Sequence, residues 1–459
     1  YYPPLADNEI INDYPNTVPL INGVKLSGRT NDGLGIGFAN AITAKTSAEV
    51  TNTDTNETSS IVVEPVTNYN VLVLDQRLRK NSSISFVNTN VTRDGLFRDA
   101  NVTALVFDLN TKENTFALEG DYKYSFVNEY GNEENKQGYN TFLNFAKTSQ
   151  KFRFGLGAKY VSQDYDPNDL GINFQTHYHA YNGNISFRTL EPTKVFNNIN
   201  STISYYSEFD NITSKIQANS LSANINFTTV QNDSFNFYLN TRPTEIYNFY
   251  EPRSIDDSKY FIEPKFIGGQ FVFSSNYNRK FAIDAIPSYR KYDQENRERY
   301  GVLISPKYRF NNHLSSTLDF DYLRQNNNLG WIDFNDDGDA IFARRNVISY
   351  VNSISGKYAF NNKMNVNLAV RYYWSYTTNF QYYTLQDDGR LKNNDIYNED
   401  MNLNFNTWNF DLSYSWWFAP GSEMVVLYRN NSLLYQYDYR TAFSGNIKNV
   451  TDLENLNHV

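Results

Sequence analysis

The chain has 459 residues, a formal net charge of −9 with a sequence pI near 5.1, and no cysteine. These figures exclude a disulfide scaffold and a thiolate metal site, and no dense basic stripe marks a nucleic-acid binder. No run of 18 or more apolar residues occurs, so no transmembrane helix is available, although strands remain open.

Mean hydropathy is −0.61, yet the chain carries 37 Tyr, 33 Phe and 5 Trp. A barrel with a wet lumen and polar loops dilutes a dry outer face in this way. The first residue is Tyr1, with no Met and no charged-then-apolar leader ahead of it. The expectation is a mature or excised fragment whose export signal has been removed.

In chain order, Tyr1 to Pro19 is polar, Pro-rich and non-periodic, and reads as a loop. Gly23 to Thr30 reads as a strand that ends at the turn Asn31-Asp32-Gly33, a hairpin signal. Leu34, Ile36 and Phe38 begin the return strand, and Thr51 to Ser60 reads as a polar loop. Ile61 to Leu78 is a strand with a short turn at Arg79 to Ser82. Ser83 to Asn90 and Asn101 to Leu109 are strands across Val91 to Asp99.

After the tight turn Thr111-Lys112-Glu113, Phe116, Leu118, Tyr122, Tyr124 and Phe126 alternate against Glu119, Asp121, Lys123 and Ser125. Glu129 to Gly138 is a long loop. Phe152, Phe154, Leu156, Ala158 and Tyr160 then alternate against Arg153, Gly155, Gly157 and Lys159. Asp164 to Ile172 is another long loop. Strands follow near Phe174 to Arg188, Ile199 to Glu208, Ala218 to Thr229, Ser234 to Ile246, Tyr260 to Phe273, Phe281 to Tyr292, Tyr300 to Phe310 and Leu314 to Leu323. Asn326 to Ala340 reads as a long acidic loop, and Asn346 to Phe360 as a strand.

Lys363 to Tyr428 carries the strongest pattern. Met364, Val366, Leu368, Val370, Tyr372, Trp374 and Tyr376 share one face of a strand. Gln381 to Asp400 reads as a long loop able to fold inward. Trp408, Phe410, Leu412, Tyr414, Trp416 and Phe418 share the dry face of the next strand, and a loop follows Tyr437. The aromatics crowd toward strand ends, as girdles at a membrane interface do.

About 20 strands with alternating short and long connections predict an all-β fold: a transmembrane antiparallel up-and-down β-barrel filling residues 1–459 as a single domain. The phase begins and ends in an external loop, so a strand is expected to be missing at each end, giving about 22 in the complete parent. Alternatively the barrel closes with those present. The main competing fold is a large soluble antiparallel sheet, but soluble strands are usually about half this length. Arg153, Lys159, Glu119, Asp121, Lys307, Asp319 and Arg371 are expected to point into the lumen. The expected setting is integral to the outer membrane of a Gram-negative bacterium. Partners would be the bilayer and lipopolysaccharide, with other outer-membrane proteins or surface lipoproteins as further candidates and no nucleic acid.

Short motifs also carry a resemblance: Gly23 to Gly37 (GVKLSGRTNDGLGIG), Asn168 to Gly171 (NDLG) and Ala419 to Glu423 (APGSE). Through these the chain resembles the C-terminal barrel region of a Bacteroidota outer-membrane family of uncharacterised function. Its members usually carry an upstream domain similar to carbohydrate-binding modules of family nine, which is absent from this sequence. The resemblance implies a location and a glycan connection, not a reaction.

One motif has ligand character. Asp333, Asn335, Asp337 and Asp339, with Gly338 for the bend, match the first half of a calcium loop, whereas the twelfth position is Arg344 and not Glu. Calcium in an external loop is one reading, and a solvated acidic loop is the other. His177 and His179 share a strand face but lack a third ligand nearby, so ordinary strand-end residues are the alternative to a metal pair. No G-x-S-x-G, H-E-x-x-H or phosphate-cradling loop occurs. No cofactor and no enzymatic activity are expected, since pairs such as Asp319 and Asp321 more simply line a wet lumen. The expected function is a channel or transport barrel for solutes, with glycan-derived solutes among them. The alternative is an accessory subunit with a closed lumen and partner-binding loops.

Overall fold

The computed structural model describes all residues except 1–4, 7, 16, 131–133, 174, 255–258, 437–441, 453–455 and 459. The described chain is all-β apart from one helix, and its strand pairs are antiparallel. Two units are distinguished: Tyr1–Asn184 with Ser207–Lys215, and Ile185–Tyr206 with Ile216–Val459.

The first unit opens with β1 (Glu9–Asp13), β2 (Leu20–Arg29), β3 (Leu34–Thr43), β4 (Thr46–Asn52) and β5 (Thr58–Glu64). It continues through β6 (Thr67–Leu78), β7 (Ser82–Arg93), β8 (Asp99–Asn110), β9 (Phe116–Asn128), β10 (Lys136–Lys147) and β11 (Phe152–Val161). Strands β2, β3 and β6 to β11 form one meander, each paired with its neighbour. The first loop and the Thr51 to Ser60 loop expected from sequence are instead a small sheet of order β1-β4-β5. Its apolar positions Ala48, Val50 and Val63 are buried. The expected strand from Ile61 is broken at Pro65, where no backbone N–H is available for a ladder.

After β12 (Tyr178–Arg188) and β13 (Phe196–Asp210), the second unit adds β14 (Ile216–Thr229), β15 (Ser234–Arg242), β16 (Ile246–Asn248), β17 (Phe261–Glu263) and β18 (Phe266–Ser274). Next come β19 (Phe281–Tyr292), β20 (Glu298–Arg309), β21 (Leu314–Phe334), β22 (Ala340–Asn361), β23 (Met364–Leu385) and β24 (Leu391–Asn393). The described chain closes with β25 (Leu403–Ala419), β26 (Ser422–Gln436), α1 (Phe443–Thr451) and β27 (Leu456–His458). A second meander pairs β14, β15, β18 to β23, β25 and β26 in succession.

Cross-strand register fixes which side chains share a face, because partners in an antiparallel ladder point the same way. Phe38, Leu72, Leu105, Tyr122, Leu143 and Leu156 lie on one face of the first meander, and most are exposed. In the second, Phe281, Ile304, Phe320, Ile354 and Leu412 do the same. In five strands, two aromatic residues of the dry face stand eight positions apart. The pairs are Phe116/Tyr124 in β9, Phe281/Tyr289 in β19, Tyr300/Tyr308 in β20, Tyr350/Tyr358 in β22 and Trp408/Trp416 in β25. Eight residues of strand span about 27 Å.

Three strands run much longer than expected. β21, β22 and β23 have 21, 22 and 22 residues, so the expected acidic loop shrinks to 335–339 and the Gln381 to Asp400 loop loses its first five residues to β23. Their far ends build a separate core in which Phe261, Leu329, Ala340, Phe342 and Leu385 are buried beneath Trp331, Tyr383 and Leu391. Bulges beside Asn327 and at Arg344/Arg345 mark where the regular ladder ends.

The tail is also not a simple loop. Helix α1 packs Ile447 and Val450 against Tyr372, Trp374 and Trp408, covering part of a face that the period-two pattern reads as lipid-facing. Tyr372 and Trp374 are each only 3% exposed. Asn404, Asn406 and Asn446 are fully buried there: Trp374 Nε1 donates to Asn404 Oδ1 (2.9 Å), Tyr372 OH to Asn406 Oδ1 (2.8 Å), and Asn404 Nδ2 to Asn446 Oδ1 (2.6 Å).

Candidate functional site

The face opposite the aromatic one is polar, and the register gathers its charges into rungs. Glu119, Asp121, Arg153 and Lys159 fall on this parity in the first unit, and Lys307, Asp319 and Arg371 in the second, as the alternation predicts. Glu119 accepts from Asn144 Nδ2 at 2.7 Å, and Lys123 Nζ pairs with Asp121 at 2.9 Å. Asp75 bridges the Arg29 guanidinium and the Ser85 hydroxyl. In the second unit Lys307 Nζ pairs with Asp284 at 3.0 Å, and Asp319 accepts from both Ser305 and Ser353. Arg429 grips Asp411 through two nitrogens, at 2.7 and 3.0 Å. Asp319 and Asp321, the carboxylate pair considered from sequence, both lie on this polar parity of β21. Asp319 is held by the hydroxyls of Ser305 and Ser353.

Each unit carries one assembly built by its longer loops. In the first unit, segment 162–177 folds onto the polar face. Tyr165 is buried, and the Asp166 N–H donates to Ser125 Oγ. Gly138 is required beneath it, since a Cβ there would lie 2.1 Å from Tyr165 N. Burial, with the Asp121 charge adding to it, pushes the Tyr165 hydroxyl up to about 12. Arg98 ties three loops together through Glu129 (2.9 Å), Asp166 (2.8 Å) and Asp169 (2.8 Å), and Arg93 joins at Asp169 (2.8 Å). Burial alone would raise the Asp166 carboxyl, but hydrogen bonds from Arg98 and from the Asn168 N–H hold it below its ordinary range.

In the second unit, a cleft of about 760 Å³ opens between the 333–337 turn and residues 392–399. Here the four expected calcium ligands do not converge. Asp333 accepts from Tyr397 OH (3.0 Å) and from the Phe334 N–H. Asn335 Oδ1 accepts from the Asp339 N–H (2.7 Å), and Asp339 faces Lys259 at 3.6 Å. Gly338, at a φ of +80°, makes the bend. Among the described residues no group of three or more His, Cys, Asp or Glu is placed to hold a metal ion.

The histidines separate as well. His177 precedes β12, at a φ of +48°, and its Nδ1 meets Asp210 Oδ1 at 2.7 Å. His179 Nδ1 meets Asn211 Oδ1 at 2.7 Å, and its ring stacks on Phe209. Both act as local ties between β12 and the 210–211 turn.

Sequence reading overlooked Arg290 and Arg299, which the register places directly opposite each other on the polar face. The signal was present: both hold the wet parity of β19 and β20. A family model described as a domain of unknown function, DUF5916, matches residues 2–459. No curated protein matches the chain.

Proposed function

We propose, for a chain that belongs to the DUF5916 family, that it is an integral outer-membrane β-barrel serving as a channel or transport barrel for solutes. The observation that carries this reading is the eight-residue interval between aromatic residues on the dry face, recurring in β9, β19, β20, β22 and β25. On a strand tilted by about 40° this interval covers about 20 Å of depth, so aromatic residues at its ends would lie near the edges of the apolar band of about 25 Å that outer-membrane barrels present. Twenty strands have nine residues or more, enough for a tilted strand to cross about 30 Å of hydrocarbon. Lipid offers no partners to strand edges, so such a sheet would have to close. The charged rungs would then line a water-filled space.

The setting would be a Gram-negative outer membrane, with the bilayer and lipopolysaccharide around the barrel. A Bacteroidota source and glycan-derived cargo rest on the family resemblance. Purified protein in planar bilayers should give a steady ohmic current; silence would favour the second reading. That reading, an accessory subunit with a closed lumen and loops that bind other outer-membrane proteins or surface lipoproteins, is favoured by how fully the loops are built. The Arg98 network and the Phe342 core both fix surfaces outside the regular ladder. Stoichiometric partners retained in mild detergent would support it. Calcium at Asp333, Asn335, Asp337 and Asp339 is a subsidiary proposal, supported by their spacing in sequence around the Gly338 bend.

A further inference from the structure

Two adjacent rungs on the polar face of the second unit form an unusual patch. One reads Tyr238–Gln270–Ser288–Gly301 and the next Asn240–Gly268–Arg290–Arg299 across β15, β18, β19 and β20. Gly268 and Gly301 leave each rung without one side chain. Neither could gain one freely, since a Cβ on Gly301 would lie 2.7 Å from Tyr322 O and one on Gly268 3.0 Å from Arg290 Cβ. The result is a concavity of about 130 Å³ lined by Tyr238, Asn240, Gln270, Ser288, Arg290 and Arg299.

Like charges directly opposite each other on adjacent strands are destabilising. Arg290 and Arg299 are such a pair, and among the described residues neither has a carboxylate at ion-pair distance. Arg290 is propped over the Phe266 ring at 4.1 Å, and among the described residues its one side-chain hydrogen bond is a long one to Tyr292 OH at 3.5 Å. Arg299 interacts with Asp321 only through the longer-range field, which that carboxylate shares with Arg371. Two guanidiniums with unfilled donors, beside an amide and a hydroxyl, match the geometry by which arginines clasp oxyanions.

We infer that the Arg290/Arg299 pair is a binding site for an oxyanion, the carboxylate or phosphate group of a solute, on the face proposed to line the lumen. The site depends on the solute-passing reading for its purpose but not for its binding. The concavity has room for one anionic group with accompanying waters. Tyr238, Asn240, Gln270 and Ser288 supply neutral partners to orient the group.

The test is thermal unfolding of the detergent-purified full chain titrated with inorganic phosphate, with sodium chloride at matched ionic strength as the control. Wild type should show a saturable rise in Tm that chloride does not reproduce. In Arg290→Gln/Arg299→Gln the midpoint should weaken about tenfold or more, while the Tm without phosphate stays equal to or above wild type because the repulsion is gone. Arg290→Lys/Arg299→Lys should retain the charge but weaken binding, because ammonium groups cannot clasp in bidentate fashion. No saturable rise in wild type, or an equal rise in the Gln variant, overturns the inference. Conductance is measured separately: a silent protein that still binds phosphate through these arginines overturns the channel reading alone.

Discussion

Tyr300 and Tyr308 stand eight residues apart on one face of β20, with Ile304 exposed midway between them. If the two tyrosines mark the two interfaces, Ile304 lies near the midplane. Ile304→Arg should then cost about 2–4 kcal/mol in lipid vesicles, and Tyr300→Arg only about 0–1 kcal/mol, since the penalty falls toward the interface. Denaturant unfolding in vesicles measures both. Equal costs at the two positions would remove the depth argument.

Helix α1 depends on a buried amide cluster. Asn446→Ala deletes the acceptor used by Asn404 Nδ2 and Asn406 Nδ2, and a buried group left unpaired costs about 1–3 kcal/mol. Residues 443–451 should become protease-sensitive, and the Trp374 emission should shift to the red. Unchanged proteolysis would show that Ile447 and Val450 hold the helix without the amides.

The Arg98 network makes loop order pH-dependent in a stated direction. The folded Asp166 carboxyl lies below its ordinary value of 3.8. Its stabilising contribution is therefore fully present above pH ~3.8 and is lost as pH falls through the lower folded value. Segment 162–177 should become more open to an acid-stable protease below that point. Arg98→Met should open it already at neutral pH, because Asp169, whose side chain is 7% exposed, loses its main partner. A loop equally resistant at both pH values would contradict this.

Calcium has a simple readout. If the 333–339 turn binds it, added Ca²⁺ should raise the Tm of the parent chain, and Asp333→Ala/Asp337→Ala should abolish that rise. No rise in the parent ends the proposal, leaving Asn335 and Gly338 as an ordinary closed turn.

The sheet was legible because parity is a local property. Met364 to Tyr376 and Trp408 to Phe418 alternate with only Ala369, Tyr373 and Trp417 off the pattern, and the register pairs the two strands face to face. What was not legible depends on contacts distant in sequence. Asn326 to Ala340 looks like a loop because Asn and Asp dominate it, yet Leu329 and Trp331 continue β21, supported by Phe342 and Phe261. The acidic oxygens there match a calcium spacing, but Tyr397 and Lys259, from other segments, engage two of them. Tyr372 and Trp374 read as lipid anchors until α1 is laid across them. The Arg290/Arg299 opposition required knowing the register between β19 and β20.

The most direct measurement is site-directed spin labelling along β20 and β22 in lipid vesicles, comparing collision with oxygen and with a water-soluble nickel chelate. Labels at Ile304 and Ile354 should collide with oxygen and be shielded from nickel. Labels at the intervening positions Leu303 and Ser353 should show the reverse, with the pattern switching at every residue between the aromatic pairs. Nickel access on both faces, or a chain that stays monomeric in buffer without detergent, would contradict a membrane-spanning sheet.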